Sequence, residues 1–390
     1  MSTFLKDFKI PLILIAEIIL CLTLSDAIPL EIRGVFYALS LSLKEILLYV
    51  LPFIIFSFLL YSVGTLKKGA LSYIILVFSM IAASNFIATL MGGGFAMLTI
   101  ERFGLVAPSI QSTDDLRAAW TFILHPIISN DIAMILGLIA GLLTSVLSFS
   151  KGQTFANRCH DVSMLFLKKA FVPVLPLFIL GFIFKLESDG ILVSVVKHYL
   201  PIAALVILLS VTYLLTVLFF ACDFSFKKWK SCLRNLVPAM LTGFTTMSSA
   251  STLPLILTAV EKNTQDDSTP GVIPVSVNAH LVGDCFSMSV QSIAILISFG
   301  FMVPDFMTFA AFAFFFMVAR FAVAGVPGGG VLITLPVFET YLGFSGEMLS
   351  LITALYILFD PLITPINVIG HGTFAQLFEK LYRKVNRFKV

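Results

Sequence analysis

The stretch Leu358-Phe-Asp-Pro-Leu-Ile-Thr-Pro-Ile-Asn-Val-Ile-Gly-His371 lies in an apolar segment that begins near Met348 and is long enough to cross a bilayer. Its polar side chains recur at i, i+4, i+7 and i+11, which is one stripe of a helix: Asp360, Thr364, Asn367 and His371. Pro361 and Pro365 beside the stripe are expected to free backbone carbonyls. Because such groups are costly in a membrane, the stripe indicates a path for a ligand or ion. The alternative is contact with a neighbouring helix alone.

The composition predicts a polytopic α-helical membrane protein. The 390 residues are 58% hydrophobic and 12% charged, and the mean hydropathy is +1.02. A soluble protein is nearer half apolar and a quarter charged. The five cysteines form no CxxC pair, so neither a disulfide framework nor a zinc site is indicated. Lys6 and Lys9 precede an apolar run without a small-residue cleavage site, which predicts a first membrane helix and not a removable signal.

The apolar spans before Lys227 are predicted at roughly 10–30, 36–65, 71–100, 120–149, 163–186 and 198–222. Lysine and arginine concentrate in every second loop and again after residue 380. The positive-inside rule therefore predicts that both the N-terminus and the C-terminus are cytoplasmic.

Two later segments read as apolar runs with a polar or glycine-rich break. Residues 236–260 carry a hydroxyl-rich run that includes Ser248 and Ser249, and residues 304–343 carry Ala324-Gly-Val-Pro-Gly-Gly-Gly330. Backbone freed at such a break must line a cavity, because it cannot face lipid. Two interrupted segments point to a transporter site, and the alternative is two kinked spans.

A seventh span is predicted at 271–299, between the two interrupted segments. It holds His280 and Asp284 at i and i+4, with Gly283 beside them and Ser276 before them. Ionisable residues at membrane depth indicate function. The alternative is a histidine that has only found a hydrogen bond.

These segments resemble the dicarboxylate/amino acid:cation symporter family, the glutamate-transporter homologues, from about Leu41 to Tyr382. The resemblance implies an all-α polytopic membrane protein with eight transmembrane helices, two re-entrant helical hairpins and a glutamate-transporter-like elevator fold. It implies a homotrimer in lipid, expected in a bacterial inner (plasma) membrane. The implied domains are 1–70 (scaffold helices 1 and 2), 71–119 (transport-domain helix 3 and an outer loop), 120–190 (scaffold helices 4 and 5) and 191–390 (the rest of the transport domain).

The family match also implies a substrate cradle. Ser249 and the hairpin backbones would hold a substrate carboxylate, Asp360 would take the amino group, and Thr364 would complete the cradle with Asn367. The full implied set of substrate contacts is Ser248, Ser249, Asp284, Val326, Pro327, Gly328, Gly329, Asp360, Ile363, Thr364 and Asn367.

The departures from the family pattern concern charge. Ile363 stands where acidic-substrate members carry an arginine, and Val282 and His371 stand where members carry sodium-binding carboxylates. The implied coupling-ion set is Ser84, Ser276, His280, Arg320, Asn367 and His371. Losing carboxylates removes the main reason for a hard cation to bind. Two interpretations stay open: sodium held by backbone carbonyls and Asn367, or protons and the fixed charge of Arg320 in place of sodium.

The sequence therefore predicts a symporter, not an enzyme, that moves a small non-acidic amino acid and needs no cofactor beyond a coupling cation. A sodium-coupled dicarboxylate or acidic amino acid symporter is the first alternative, with Arg320 neutralising the extra carboxylate. An intramembrane metalloenzyme built on His280, Asp284 and His371 is the second, although no HExxH motif is present. A channel is the third. No nucleic-acid partner is expected.

Overall fold

The computed structural model describes residues 9–64, 71–100, 102–105, 116–125, 127–147, 150–189, 192–264, 269–323 and 329–387. Within these ranges the chain is helical and contains no strand. The helices are α1 (Lys9–Leu24), α2 (Leu30–Gly64), α3 (Leu71–Thr99), α4 (Asn130–Val146), α5 (Ser150–Phe166), α6 (Val172–Ser188), α7 (Leu192–Ala221), α8 (Phe226–Thr246), α9 (Ser249–Asn263), α10 (Ile273–Ala279), α11 (Val282–Ser298), α12 (Phe306–Arg320), α13 (Gly329–Leu342) and α14 (Gly346–Arg387).

The helices pack around two centres. The long helix α2 packs against α4, α5 and α6, and α1 packs against α6. The other centre is α11 with α14: α3 and α7 lie against α11, while α7, α8 and α9 lie against α14. Most side chains of α11 are buried, which explains how this helix tolerates many polar residues at membrane depth.

The prediction of a helical membrane protein with several spans is confirmed. Among the described residues, five helices are long and apolar enough to cross a membrane, and the bent pair 151–171 and 173–188 would make six. The expected total of eight spans and two re-entrant hairpins stays a prediction. A helix end does lie at each predicted hairpin break, at Thr246 and at Arg320.

The predicted span at 120–149 is wrong at its start, because α4 begins only at Asn130. Residues 116–125 instead run as irregular chain along α2. Ala119 N donates to Gly34 O at 3.1 Å, and the Trp120 indole donates to Ser42 Oγ at 3.0 Å. Groups on α2 thus satisfy hydrogen-bonding groups of this segment. His125 also precedes a proline in the sequence, and a residue in that position disfavours the helical conformation.

The predicted span at 163–186 is also different. The chain forms α5 and α6 joined by a π-helical turn at Leu167–Phe171, and the two arms bend by 53°. Pro173 lies in the first turn of α6, where its missing N–H is harmless. The same proline could not continue α5 without losing a backbone hydrogen bond, so the bend lies beside it.

Small residues allow several of these helices to approach closely. A Cβ added to Gly181 of α6 would lie 2.2 Å from Phe36 O of α2. A Cβ added to Gly92 of α3 would lie 2.4 Å from Ser289 Oγ of α11. Close backbone approach of this kind is a main source of helix association in membranes.

We expect Gly181→Ala to lower the melting temperature of the purified protein, because the added methyl forces α6 away from α2. Overpacking of this kind costs about 1–3 kcal/mol. Gly94→Ala is the matched control, since a Cβ at Gly94 of α3 would meet nothing within 4 Å. Equal melting temperatures for the two variants would contradict the α2–α6 packing.

Candidate functional site

The first interrupted segment turns at Met247 and Ser248. Met247 has a left-handed backbone with φ 49°, which ends α8 and reverses the chain. Ser248 caps α9, and its hydroxyl accepts from Ser251 N at 3.4 Å. The hydroxyl-rich sequence thus forms a capped tip in which Ser249 is the first residue of α9.

The seventh predicted span is broken between α10 and α11 at His280 and Leu281. His280 has φ −91° and ψ 85°, outside the helical region. The carbonyl of Ala279 accepts from Asn85 Nδ2 of α3 at 2.7 Å. At the start of α11, Gly283 N donates to Asn367 Oδ1 of α14 at 2.9 Å. The backbone groups freed by the break are therefore satisfied by side chains from two other helices.

Helix α14 continues through Pro361 and Pro365 and presents the predicted polar stripe. Thr364 Oγ1 donates to Asp360 Oδ1 at 2.7 Å. One turn on, Asn367 Nδ2 donates to Asp284 Oδ1 of α11 at 2.7 Å. Both carboxylates of the site thus contact the stripe, Asp360 from within it and Asp284 across the helix interface.

A cavity of about 50 Å³ lies between the first tip, the broken helix and α14. A space of this size holds a few water molecules in the present arrangement. Among the described residues, those lining it carry no positive charge: Met247, Ser248, Ser249, Ala250, Val277, Asn278, Leu281, Asp284, Val323, Gly330, Tyr356, Asp360, Thr364 and Asn367.

The two carboxylates at the cavity differ in their partners. Asp284 Oδ2 accepts from the Arg320 guanidinium and from Tyr356 Oη at 3.1 Å. The partner of Asp360 among the described residues is the Thr364 hydroxyl, which is neutral. Arg320 therefore balances the charge of Asp284. Among the described residues, Asp360 is the acidic group at the cavity that lacks a cationic partner.

The histidines form a separate cluster behind the break. His280 Nε2 lies 2.8 Å from Ser84 Oγ of α3, and the rings of His280 and His371 have centroids 6.4 Å apart. Neither ring nitrogen of His371 has a hydrogen-bond partner within the described ranges. A second cavity of about 220 Å³ adjoins Ser84, His280 and Tyr213.

The arrangement does not bring the three proposed metal ligands together. Asp284 is directed at Arg320 and Asn367, while His280 faces Ser84 and His371. In the part of the chain that the structure describes, no group of three or more His, Cys, Asp or Glu side chains could hold a metal ion. The geometry therefore offers no support for the metalloenzyme alternative.

The remaining predicted residues fall in different places. Ile363 packs against Gly283, where an added Cβ would lie 3.1 Å from Ile363 Cγ2, and it does not line the cavity. Ser276 donates to Ile273 O within α10 at 3.1 Å. Gly329 begins α13 and Gly330 lines the cavity. Val326, Pro327 and Gly328 lie outside the described residues.

Sequence reasoning missed Tyr356 and Asn85. Tyr356 precedes Asp360 by four residues, so it lies on the same helical stripe, and this spacing could have identified it. Asn85 is a fully buried amide in a largely apolar helix, α3. An amide side chain in a membrane helix indicates a hydrogen-bond partner on another helix, although the sequence does not say which group that is.

Comparison with known proteins identifies the family. The model of the sodium:dicarboxylate symporter family matches residues 10–381. The excitatory amino acid transporter 1 of Homo sapiens is 27% identical over 222 residues, which is 55% of this chain and 39% of that protein. The same-named protein of Ambystoma tigrinum is 26% identical over equal shares.

An excitatory amino acid transporter of Onchocerca volvulus is 32% identical over 151 residues, 37% of this chain and 29% of that protein. The chain thus spans well under half the length of these relatives. The family resemblance predicted from the sequence is confirmed, and the family is one of transporters and not of enzymes. The chain belongs to the sodium:dicarboxylate symporter family.

Proposed function

We propose that this chain is a secondary active symporter for a small amino acid without an acidic side chain. The observation that carries the proposal is the charge of the cavity. Asp360 is buried at the cavity with a neutral hydroxyl as its partner, while Asp284 is already paired with Arg320. A buried carboxylate needs a cationic partner, and a substrate ammonium supplies one.

The opposite end of a zwitterion has its own binding groups. First-turn residues of two helices line the cavity: Ser249 and Ala250 of α9, and Gly330 of α13. Helix N-termini present free amides and a positive dipole end, which suits a substrate carboxylate. Asn367 is less suited to hold substrate, because both ends of its amide already bind α11. We assign it to positioning.

The described lining of the cavity has no free cation, which favours a neutral side chain on the substrate. Ile363 is turned toward Gly283, and Arg320 has no exposed surface. A second substrate carboxylate would therefore enter a cavity whose described lining has no cation to match it.

The mechanism we propose is elevator movement of residues 71–119 and 191–390 against a scaffold of 1–70 and 120–190, in a homotrimer. Both termini would lie in the cytoplasm of a bacterial cell. Polar contacts join the two parts in the present arrangement: Tyr37 Oη donates to Glu347 Oε1 at 2.5 Å, and Lys44 Nζ lies 3.9 Å from Glu339 Oε1. Sliding of the transport domain along the scaffold would break these contacts and form others.

For coupling we propose protons carried by His280 and His371. Val282 is apolar where sodium binding would need a carboxylate, and Asn367 Oδ1 is occupied by backbone amides. The groups that face the two rings are each other, Ser84 of α3 and Phe374 of α14. Nearby titratable groups on packed helices include Tyr213 of α7 and Cys285 of α11, which are neutral at pH 7. Two imidazoles this close should titrate as a coupled pair.

The second candidate function is sodium-coupled transport of a dicarboxylate or an acidic amino acid. The family description favours it, since it names both sodium and dicarboxylates. It would require Arg320 to leave Asp284 and reach the substrate. Competition by aspartate and uptake in the absence of sodium separate the two candidates.

We expect Asp360→Asn to weaken binding of a small neutral amino acid by about 30-fold or more, because a broken buried charge pair costs about 2–5 kcal/mol. The measurement is the dissociation constant of the purified protein for radiolabelled alanine or serine. Asp305→Asn is the control, since Asp305 is an exposed helix cap and asparagine caps equally well. Unchanged affinity in Asp360→Asn would refute the assignment.

Competition against labelled substrate tests the substrate class. Alanine and serine should compete. Aspartate and glutamate should compete at least about tenfold less well, because the described lining of the cavity offers no cation to their second carboxylate. Propionate, which lacks the ammonium, is the control and should not compete. Stronger competition by aspartate and glutamate would favour the dicarboxylate function.

The coupling proposal is tested by uptake into proteoliposomes with sodium wholly replaced by choline, at fixed and at stepped pH. We expect uptake to follow the pH step, and His371→Gln to abolish this response while substrate exchange persists. His125→Gln, on an exposed segment, should behave as wild type. Uptake that stops without sodium and ignores the pH step would refute proton coupling.

A further inference from the structure

Arg320 is a buried cation at the junction of three elements. It is the last residue of α12, and none of its surface is exposed. Its guanidinium contacts Asp284 of α11, and Nη1 lies 3.4 Å from Gly330 O of α13. The guanidinium carbon also lies 5.5 Å from the centre of the Phe316 ring. Arg320 therefore ties both arms of the second interrupted segment to the broken helix.

The chain itself satisfies both oxygens of Asp284. Oδ2 accepts from Arg320 and from Tyr356 Oη at 3.1 Å, and Oδ1 accepts from Asn367 Nδ2 at 2.7 Å. Two of these partners come from α14 and the third from α12. A buried carboxylate is stable only when a cation and hydrogen-bond donors surround it. Here no ion from solution is required for that balance.

We propose that Arg320 is a tethered cation, which takes at Asp284 the place that a mobile coupling cation would take, and so holds the second segment against α11 and α14. The inference rests on the proposed transport function. Arg320 is thus a positioning residue and not a substrate ligand, since it does not line the cavity. With Arg320 in place, the Asp284 carboxylate does not bind cations from solution.

Removal of Arg320 distinguishes charge compensation at Asp284 from simple packing. If Arg320 is removed, Asp284 becomes an uncompensated buried charge beside a space of guanidinium size. A small cation from solution should then bind there, as it cannot in the wild type. A residue that only filled space would leave no such demand for charge.

The experiment is thermal unfolding of the purified full-length protein in choline chloride, with sodium chloride or methylguanidinium chloride added at constant ionic strength. We expect Arg320→Ala to melt lower than wild type in choline, and either cation to raise its melting temperature saturably by about 3 °C or more beyond any wild-type response. Arg320→Lys should need no added cation.

The double variant Arg320→Ala with Asp284→Asn is the matched control. It creates the same space without the charge, so we expect no added response to cations. If Arg320→Ala does not fold, Arg320→Gln provides the same comparison with a smaller change in volume. Equal cation responses in the single variant and in wild type, or in the single and double variants, would overturn the inference.

This assay needs no substrate. A failed competition or Asp360→Asn result would therefore refute the proposed substrate while leaving the tethered cation standing. Conversely, a missing cation response would refute the role of Arg320 as a tethered cation without refuting the proposed transport function.

Discussion

The Asp284–Arg320 pair is the interaction on which the site depends. It joins α11 to α12, and through Tyr356 and Asn367 it also joins both to α14. Because both partners are buried, water cannot replace either of them, so removing one leaves the other as a buried, unpaired charge. The pair fixes the three helices relative to one another. Among the described residues, it leaves Asp360 as the acidic group of the cavity without a cationic partner.

The break between α10 and α11 is the second constraint, and the same residues meet it. Asn367 satisfies the first amides of α11 and also donates to Asp284, so one side chain serves backbone and carboxylate together. Asn85 satisfies the other side of the break from α3. Irregular backbone is tolerated at membrane depth only under such conditions. The side chain that satisfies the broken backbone, Asn367, therefore also lines the cavity beside it.

Periodicity and breaker residues were enough to predict the helical class, the two interrupted segments and the polar stripe of α14. These features depend on local sequence, such as the i, i+4 spacing of Asp360 and Thr364. The Asp284–Arg320 contact could not be predicted, because it joins residues 36 positions apart whose approach depends on the tertiary structure. The irregular segment before α4 was missed for a similar reason: its apolar composition suits a helix, but hydrogen bonds to α2 stabilise it in another form.

In the proposed mechanism the chain's own residues satisfy the positions where a mobile cation would bind, so that substrate binds without sodium. The most direct test is the dissociation constant for a small neutral amino acid, measured from sodium-free choline buffer to high sodium at constant ionic strength. We expect the same dissociation constant at every sodium concentration. A dissociation constant that falls in proportion to sodium concentration, with a logarithmic slope of about one or more, would contradict it, because binding would then be linked to a dissolved ion.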